Sequence, residues 1–118
     1  CVLVADDDAD MRLYLASCLR GFWLAGCNIS EAANGREALL LARKLPFDLI
    51  ISDIVLPGLD GLALCRALKA DPTTAAIPLL LVSGESRAPG ICADGFLAKP
   101  FNAAGLRAHV QRLVALSS

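Results

Sequence analysis

The sequence predicts an α/β fold, a doubly wound five-stranded parallel sheet with helices on both faces, and two observations carry that prediction. Apolar runs without polar alternation recur at Val2 to Ala5, Asp48 to Ser52, Leu79 to Val82 and Gly95 to Ala98, as strands covered on both faces do. Between them lie stretches whose apolar positions repeat at about 3.6 residues, the mark of amphipathic helices. Strand and helix alternate, and right-handed βα crossovers then lay helices on both faces of a parallel sheet.

Taken in order, the first strand ends in Asp6-Asp7-Asp8, and Asp8 can cap a helix that starts near Ala9 and turns Met11, Leu15 and Cys18 inward. Asn28 to Ala32 is a weaker strand candidate and makes the fifth. Gly35 precedes a helix over Arg36 to Lys44, and Pro46 follows it. The run ending at Ser52 leads into Asp53, and Pro57-Gly58-Leu59-Asp60-Gly61 reads as a turn. Leu62, Cys65 and Leu68 mark the next helix, Ser83 follows the next strand, and Lys99-Pro100 follows the last. Leu106, Val110 and Leu113 mark the final helix, with His109 on its flank as a structural or surface residue.

A length of 118 residues suits one domain over 1–118. With 56% hydrophobic residues and a net charge of -1, the chain reads as a folded globule. That balance excludes a disordered tail and a sequence-blind nucleic-acid binder. No apolar run approaches the roughly 20 residues of a membrane helix, and the first residues lack the charged start and small-residue cleavage site of a signal peptide. The start at Cys1 without Met suggests excision from a longer protein. Five cysteines without a C-x-x-C pair argue against a disulfide framework or a zinc site, so reduced thiols in the cytoplasm are expected, with Cys18 and Cys65 packed as small hydrophobes.

In open parallel sheets, function collects at the carboxyl ends of the strands. Asp6, Asp7 and Asp8, Asp53, Ser83 and Lys99 all fall there. A triple Asp can simply cap a helix and face water, and a lysine is usually solvated. Asp53 differs, because a charge closing a buried strand is costly without a partner or a metal. Carboxylates meeting in one crevice repel each other unless a cation intervenes, and Mg2+ suits oxygen ligands with open positions for a phosphoryl oxygen. Lys99 adds a compact cation and Ser83 a hydroxyl donor, a set fitted to phosphoryl transfer.

Val2 to Asp8, Leu49 to Gly61, Leu81 to Gly84 and Phe96 to Phe101 together resemble, in order and over nearly the whole chain, the response-regulator receiver domain of two-component signalling. The resemblance implies a chemotaxis-regulator-like, flavodoxin-like sheet of order 2-1-3-4-5. It implies Asp53 as phosphoacceptor, Asp7 as a direct Mg2+ ligand, Asp6 acting mainly through water, and the Val55 carbonyl completing the metal set. Ser83 is then expected to bond the phosphoryl group, Lys99 to pair with it, and Phe96 to switch rotamer with Ser83. The Lys99-Pro100 peptide is expected to be cis. The implied donor is a histidine kinase or a histidine phosphotransfer protein. No direct nucleic-acid or membrane contact is expected, and a homodimer is admissible. A domain of this kind is a relay substrate more than a turnover enzyme, although a parent chain could be a hybrid sensor histidine kinase.

One stretch departs from the family. Only Gly84 to Asp94 remain for the fourth crossover, and Pro89-Gly90 interrupts them, so a fourth helix shortened to a turn or two, or missing, is expected. The usual output surface would then be trimmed, with a partner docking elsewhere, for example on the first helix. Val55 and Glu85 lie near the expected path of a hydrolytic water. Two other functions fit less well: a receiver-like interaction module that is never phosphorylated, and a Mg2+-dependent aspartyl phosphohydrolase. The intact Asp7, Asp53, Ser83 and Lys99 weigh against the first. Against the second, Asp53-Ile54-Val55 lacks a second Asp two places on.

Overall fold

A computed structural model describes residues 1–22, 28–84 and 93–117. In chain order they form β1 (Val2–Ala5), α1 (Ala9–Phe22), β2 (Ile29–Ala32), α2 (Gly35–Lys44), β3 (Leu49–Asp53), α3 (Gly61–Ala70), β4 (Leu79–Ser83), β5 (Gly95–Ala98) and α4 (Ala103–Ser117). All neighbouring strands pair in parallel, in the order β2-β1-β3-β4-β5. The chain first builds outward from β1 to β2, then returns to the other side of β1. That reversal opens a crevice at the carboxyl ends of β1 and β3.

Alternate residues of each strand feed opposite faces, which is why the strands read as unbroken apolar runs. Leu3, Ala5, Ile50, Leu79 and Leu81 pack with Ala38 and Ala42 of α2 and Leu64, Cys65 and Leu68 of α3. Val2, Val4, Leu49, Ile51, Leu80 and Val82 pack with Leu15 and Leu19 of α1 and Leu106, Val110 and Leu113 of α4. The described helices therefore sit two on each face, and the doubly wound prediction holds.

Several boundaries move by one residue, for physical reasons. Asp48 stands outside β3, since its carboxylate takes the Cys1 ammonium at 2.7 Å while its N–H donates to the Cys1 carbonyl at 2.8 Å. Asp53 instead belongs to the ladder, opposite Val82. Gly35 is the first helical residue of α2, because Asn34 is the cap: its Oδ1 accepts from Glu37 N–H at 2.8 Å, and Glu37 Oε1 accepts from Ala33 N–H at 2.8 Å. Asp8 caps α1 as expected, accepting from Asp10 N–H at 2.9 Å.

The cysteine reading needs one correction. Cys65 is fully buried on α3 as the packing pattern requires, but it is disulfide-bonded. Cys1 and Cys18 are free, so its partner lies outside the described residues. The shortened crossover expected between Gly84 and Asp94 falls on residues 85–92, outside the described residues. No helix among the described residues is long and apolar enough to cross a membrane.

Candidate functional site

Four strand ends deliver the predicted side chains to one crevice. Asp6 and Asp7 follow β1, Asp53 closes β3, Ser83 closes β4 and Lys99 follows β5. Carboxylate oxygens of Asp6, Asp7 and Asp53 lie within 4.8 Å of one another, with Asp6 buried, Asp53 half-buried and Asp7 exposed. Lys99 Nζ donates to Asp53 Oδ2 at 3.1 Å and to Asp6 Oδ2 at 3.4 Å. Three carboxylates against one ammonium leave negative charge over, and a hard divalent cation with oxygen ligands fits that donor set.

The electrostatics follow from burial. Asp6 is 2% exposed, and burial raises its carboxyl above the usual range, with the charge of Asp53 adding to the rise. The Asp8 N–H, donating to Asp6 Oδ1 at 2.9 Å, and the Lys99 ammonium offset only part of it. For Lys99 burial works to lower the value, but the bond and charge of Asp53, followed by those of Asp6, outweigh it and hold the ammonium above its ordinary range.

The loop after β3 is held by close backbone approaches. Asp53 Oδ1 accepts from Val55 N–H at 3.3 Å, and Gly61 N–H donates to the Ile54 carbonyl at 2.8 Å, closing the turn expected over Pro57 to Gly61. A Cβ on Gly61 would overlap the Asp53 carbonyl, and one on Gly35 would overlap the Leu59 carbonyl. Only glycine lets α2 and α3 press on the loop this closely. Val55 is 61% exposed beside Asp53.

Ser83 is buried, and its carbonyl accepts from Lys99 N–H at 2.7 Å, which ties the ends of β4 and β5 together. Phe96 lies on β5 opposite Leu81, half-buried against the core on the α2–α3 side. The Lys99–Pro100 peptide is cis. Beside Lys99 an apolar groove of about 310 Å³ runs between Met11, Tyr14, Pro100 and Phe101. His109 bonds to the Gly105 carbonyl at 2.9 Å on its own helix.

Two contributors were not read from the sequence. Arg12 reaches back from α1 to the Asp6 carbonyl, and Gly35 presses on the Leu59 backbone. A cation near a helix N-terminus opposes the helix dipole, and that oddity was the available signal for Arg12. Nothing local marks the contact of Gly35 with a loop more than twenty residues on.

A five-stranded parallel sheet of order 2-1-3-4-5, with an acidic triad and a lysine at its carboxyl edge, is the architecture of receiver domains. The response regulator receiver domain model matches residues 2–111, and the chain belongs to that family. The response regulator PleD of Caulobacter vibrioides is 38% identical over 120 residues, covering 95% of this chain and 25% of PleD. The chain thus spans about a quarter of that relative's length. The signal receiver domain of a signal transduction histidine kinase from Syntrophus aciditrophicus superposes with a TM-score of 0.86 at 34% identity, over 97% of this chain and 89% of the other. The response regulator TrrA from Thermotoga maritima, solved in complex with Mg(2+)-BeF, gives a TM-score of 0.83 at 29% identity, over 95% and 96%.

Proposed function

We propose that residues 1–118 act as one receiver domain that takes a phosphoryl group from a phosphohistidine onto Asp53, with Mg2+ as cofactor. The observation that carries this reading is the acidic triad: three carboxylates have oxygens within 4.8 Å of one another, and a lysine pairs with two of them, Asp6 and Asp53. A structural ion pair would need only one carboxylate. The magnesium-bearing neighbour TrrA supports the choice of metal.

In this reading an Asp53 carboxylate oxygen attacks the phosphorus in line, an O–P bond forms, and the P–N bond to the donor imidazole breaks. Asp7 and Asp53 would hold the metal, with Asp6 contributing mainly through water and the Val55 carbonyl completing the set. When bound, Mg2+ would supply charge neutralisation on the transferred oxygens. Lys99 moves its ammonium from carboxylate to phosphoryl oxygen. Ser83 donates its hydroxyl to the same group, and Phe96 follows Ser83 as the switch. The donor is a histidine kinase or a histidine phosphotransfer protein, whose use of ATP-derived phosphate places the reaction in the cytoplasm.

Incubation with Mg2+ and acetyl phosphate, followed by intact mass measurement, tests the reading. One added phosphoryl group is expected, absent in Asp53→Asn and after chelation of the metal. No adduct at any metal concentration would point to an interaction module, and rapid release of free phosphate to a phosphohydrolase.

A further inference from the structure

Asp6 is bonded at every polar group. Its N–H donates to the Ala32 carbonyl at 3.0 Å, and its carboxylate is held by Asp8 N–H and Lys99. Its carbonyl accepts from Arg12 Nη1 at 2.6 Å. Arg12 is itself fixed, since its Nε donates to Glu31 Oε1 at 2.9 Å and its side chain is 17% exposed. Glu31 lies on β2 opposite Val4, so the guanidinium spans from the second strand to the peptide that joins Asp6 to Asp7. None of the chemistry assigned to the crevice uses this residue.

We propose that Arg12 is a positioning residue for the divalent-cation site. By gripping the Asp6 carbonyl it sets the plane of the Asp6–Asp7 peptide, and that plane fixes the directions in which both carboxylates leave the strand end. The inference rests on the metal-binding reading above. Two effects of Arg12 oppose each other: its charge repels a cation, while its grip orders the ligands. Glu31 neutralises most of the charge, so the grip dominates and losing Arg12 weakens metal binding.

The test is a Mg2+ titration of the full chain followed by amide NMR shifts, with melting in chelator as a control for folding. Arg12→Gln is expected to bind Mg2+ about tenfold more weakly, the low end for groups that orient metal ligands. Arg12→Lys, which keeps the charge and one donor, recovers part of that loss. A merely structural role would move melting and leave the affinity where it was. Arg12→Gln binding Mg2+ as tightly as the parent, or more tightly, overturns the proposal. If Arg12→Gln fails to fold, Arg12→Lys decides: weaker binding supports the grip, and unchanged binding overturns it. A parent chain that binds no Mg2+ defeats the function reading and this inference together, whereas a binding parent with an indifferent Arg12 variant defeats this inference alone.

Discussion

Lys69 and Lys99 sit at opposite ends of the same sheet and are used differently. At the amino ends of β4 and β5, Lys69 donates to the Ala75 carbonyl at 3.2 Å, the Ile77 carbonyl at 3.0 Å and Asp94 Oδ2 at 2.8 Å. Asp94 Oδ2 in turn accepts from Leu79 N–H at 2.8 Å. An ammonium has three donors, so this set is full and one carboxylate balances one charge. At the carboxyl ends Lys99 is shared by Asp6 and Asp53, with Asp7 close by. The first lysine completes a staple; the second leaves a charge deficit that another cation can fill. Leftover charge, more than the presence of an ion pair, separates the working end of the sheet from the structural end.

Removing each lysine should expose that difference most strongly. Lys69→Met is expected to cost about 2 kcal/mol, because two carbonyls and Asp94 lose their donor, and saturating Mg2+ should restore none of the lost stability. Lys99→Met should also destabilise the metal-free protein, since Asp6 and Asp53 lose the donor they share. Here saturating Mg2+ is expected to recover the loss, and Mg2+ should bind about tenfold more tightly once the ammonium no longer competes. Thermal melts with and without Mg2+ read both. Recovery of Lys69→Met by the metal, or none for Lys99→Met, would break the comparison.

The legibility of the two ends differs for the same reason. The strands, the amphipathic helices and the acids at strand ends follow from local pattern, and the residues brought together at Asp53 stand where the sequence placed them. The Lys69–Asp94 staple spans 25 residues and uses two backbone carbonyls, which carry no sequence signature. Arg12 and Gly35 act in the same way, through the backbone of Asp6 and of Leu59. What acts through side chains of distinctive type was readable; what acts on another segment's backbone was not.

The Gly35 contact offers a test of intermediate size, because it joins the structural half of the fold to the working end. Gly35→Ala places a Cβ into the Leu59 carbonyl, and backbone on that side has little freedom to yield. A loss of about 2 kcal/mol is expected, within the usual range for overpacking. Because the β3–α3 loop must shift, Mg2+ affinity should fall as well, which Lys69→Met should not cause. A variant that melts early but binds the metal normally would confine Gly35 to the structural half.

Protonation gives a smaller effect. Burial, then the charge of Asp53, holds the Asp6 carboxyl above its ordinary 3.8, so between that value and its own the folded chain binds more protons than the unfolded chain. Metal-free stability therefore falls as pH rises through that window and levels above it. Lys99 is held above its ordinary 10.5, against the effect of burial, by the bond and charge of Asp53 and then Asp6. Its contribution is fully present below 10.5 and is lost as pH rises through the folded value. Melting in chelator across pH checks both limbs, and Asp6→Asn should flatten the acid limb by a few degrees while leaving the alkaline limb in place.

The smallest expected effect lies beside Asp53 and involves no charge at all. Val55 is 61% exposed two residues past the acceptor, and its N–H already donates to Asp53 Oδ1, so its backbone is held next to the acceptor while its side chain has no polar group to offer. An apolar group there neither orients nor activates a water that would attack the acyl phosphate. Asn at the same place brings a donor and an acceptor, and the acyl phosphate is expected to hydrolyse about threefold to tenfold faster, a change of at most about 1.4 kcal/mol in the barrier. Since Asn is neutral and the backbone carbonyl is kept, Mg2+ affinity should stay as it was. Decay of the phosphorylated mass after removal of acetyl phosphate measures the lifetime. An unchanged lifetime would remove Val55 from control of water, and a changed affinity would show that this side chain, and not only its carbonyl, belongs to the metal's surroundings.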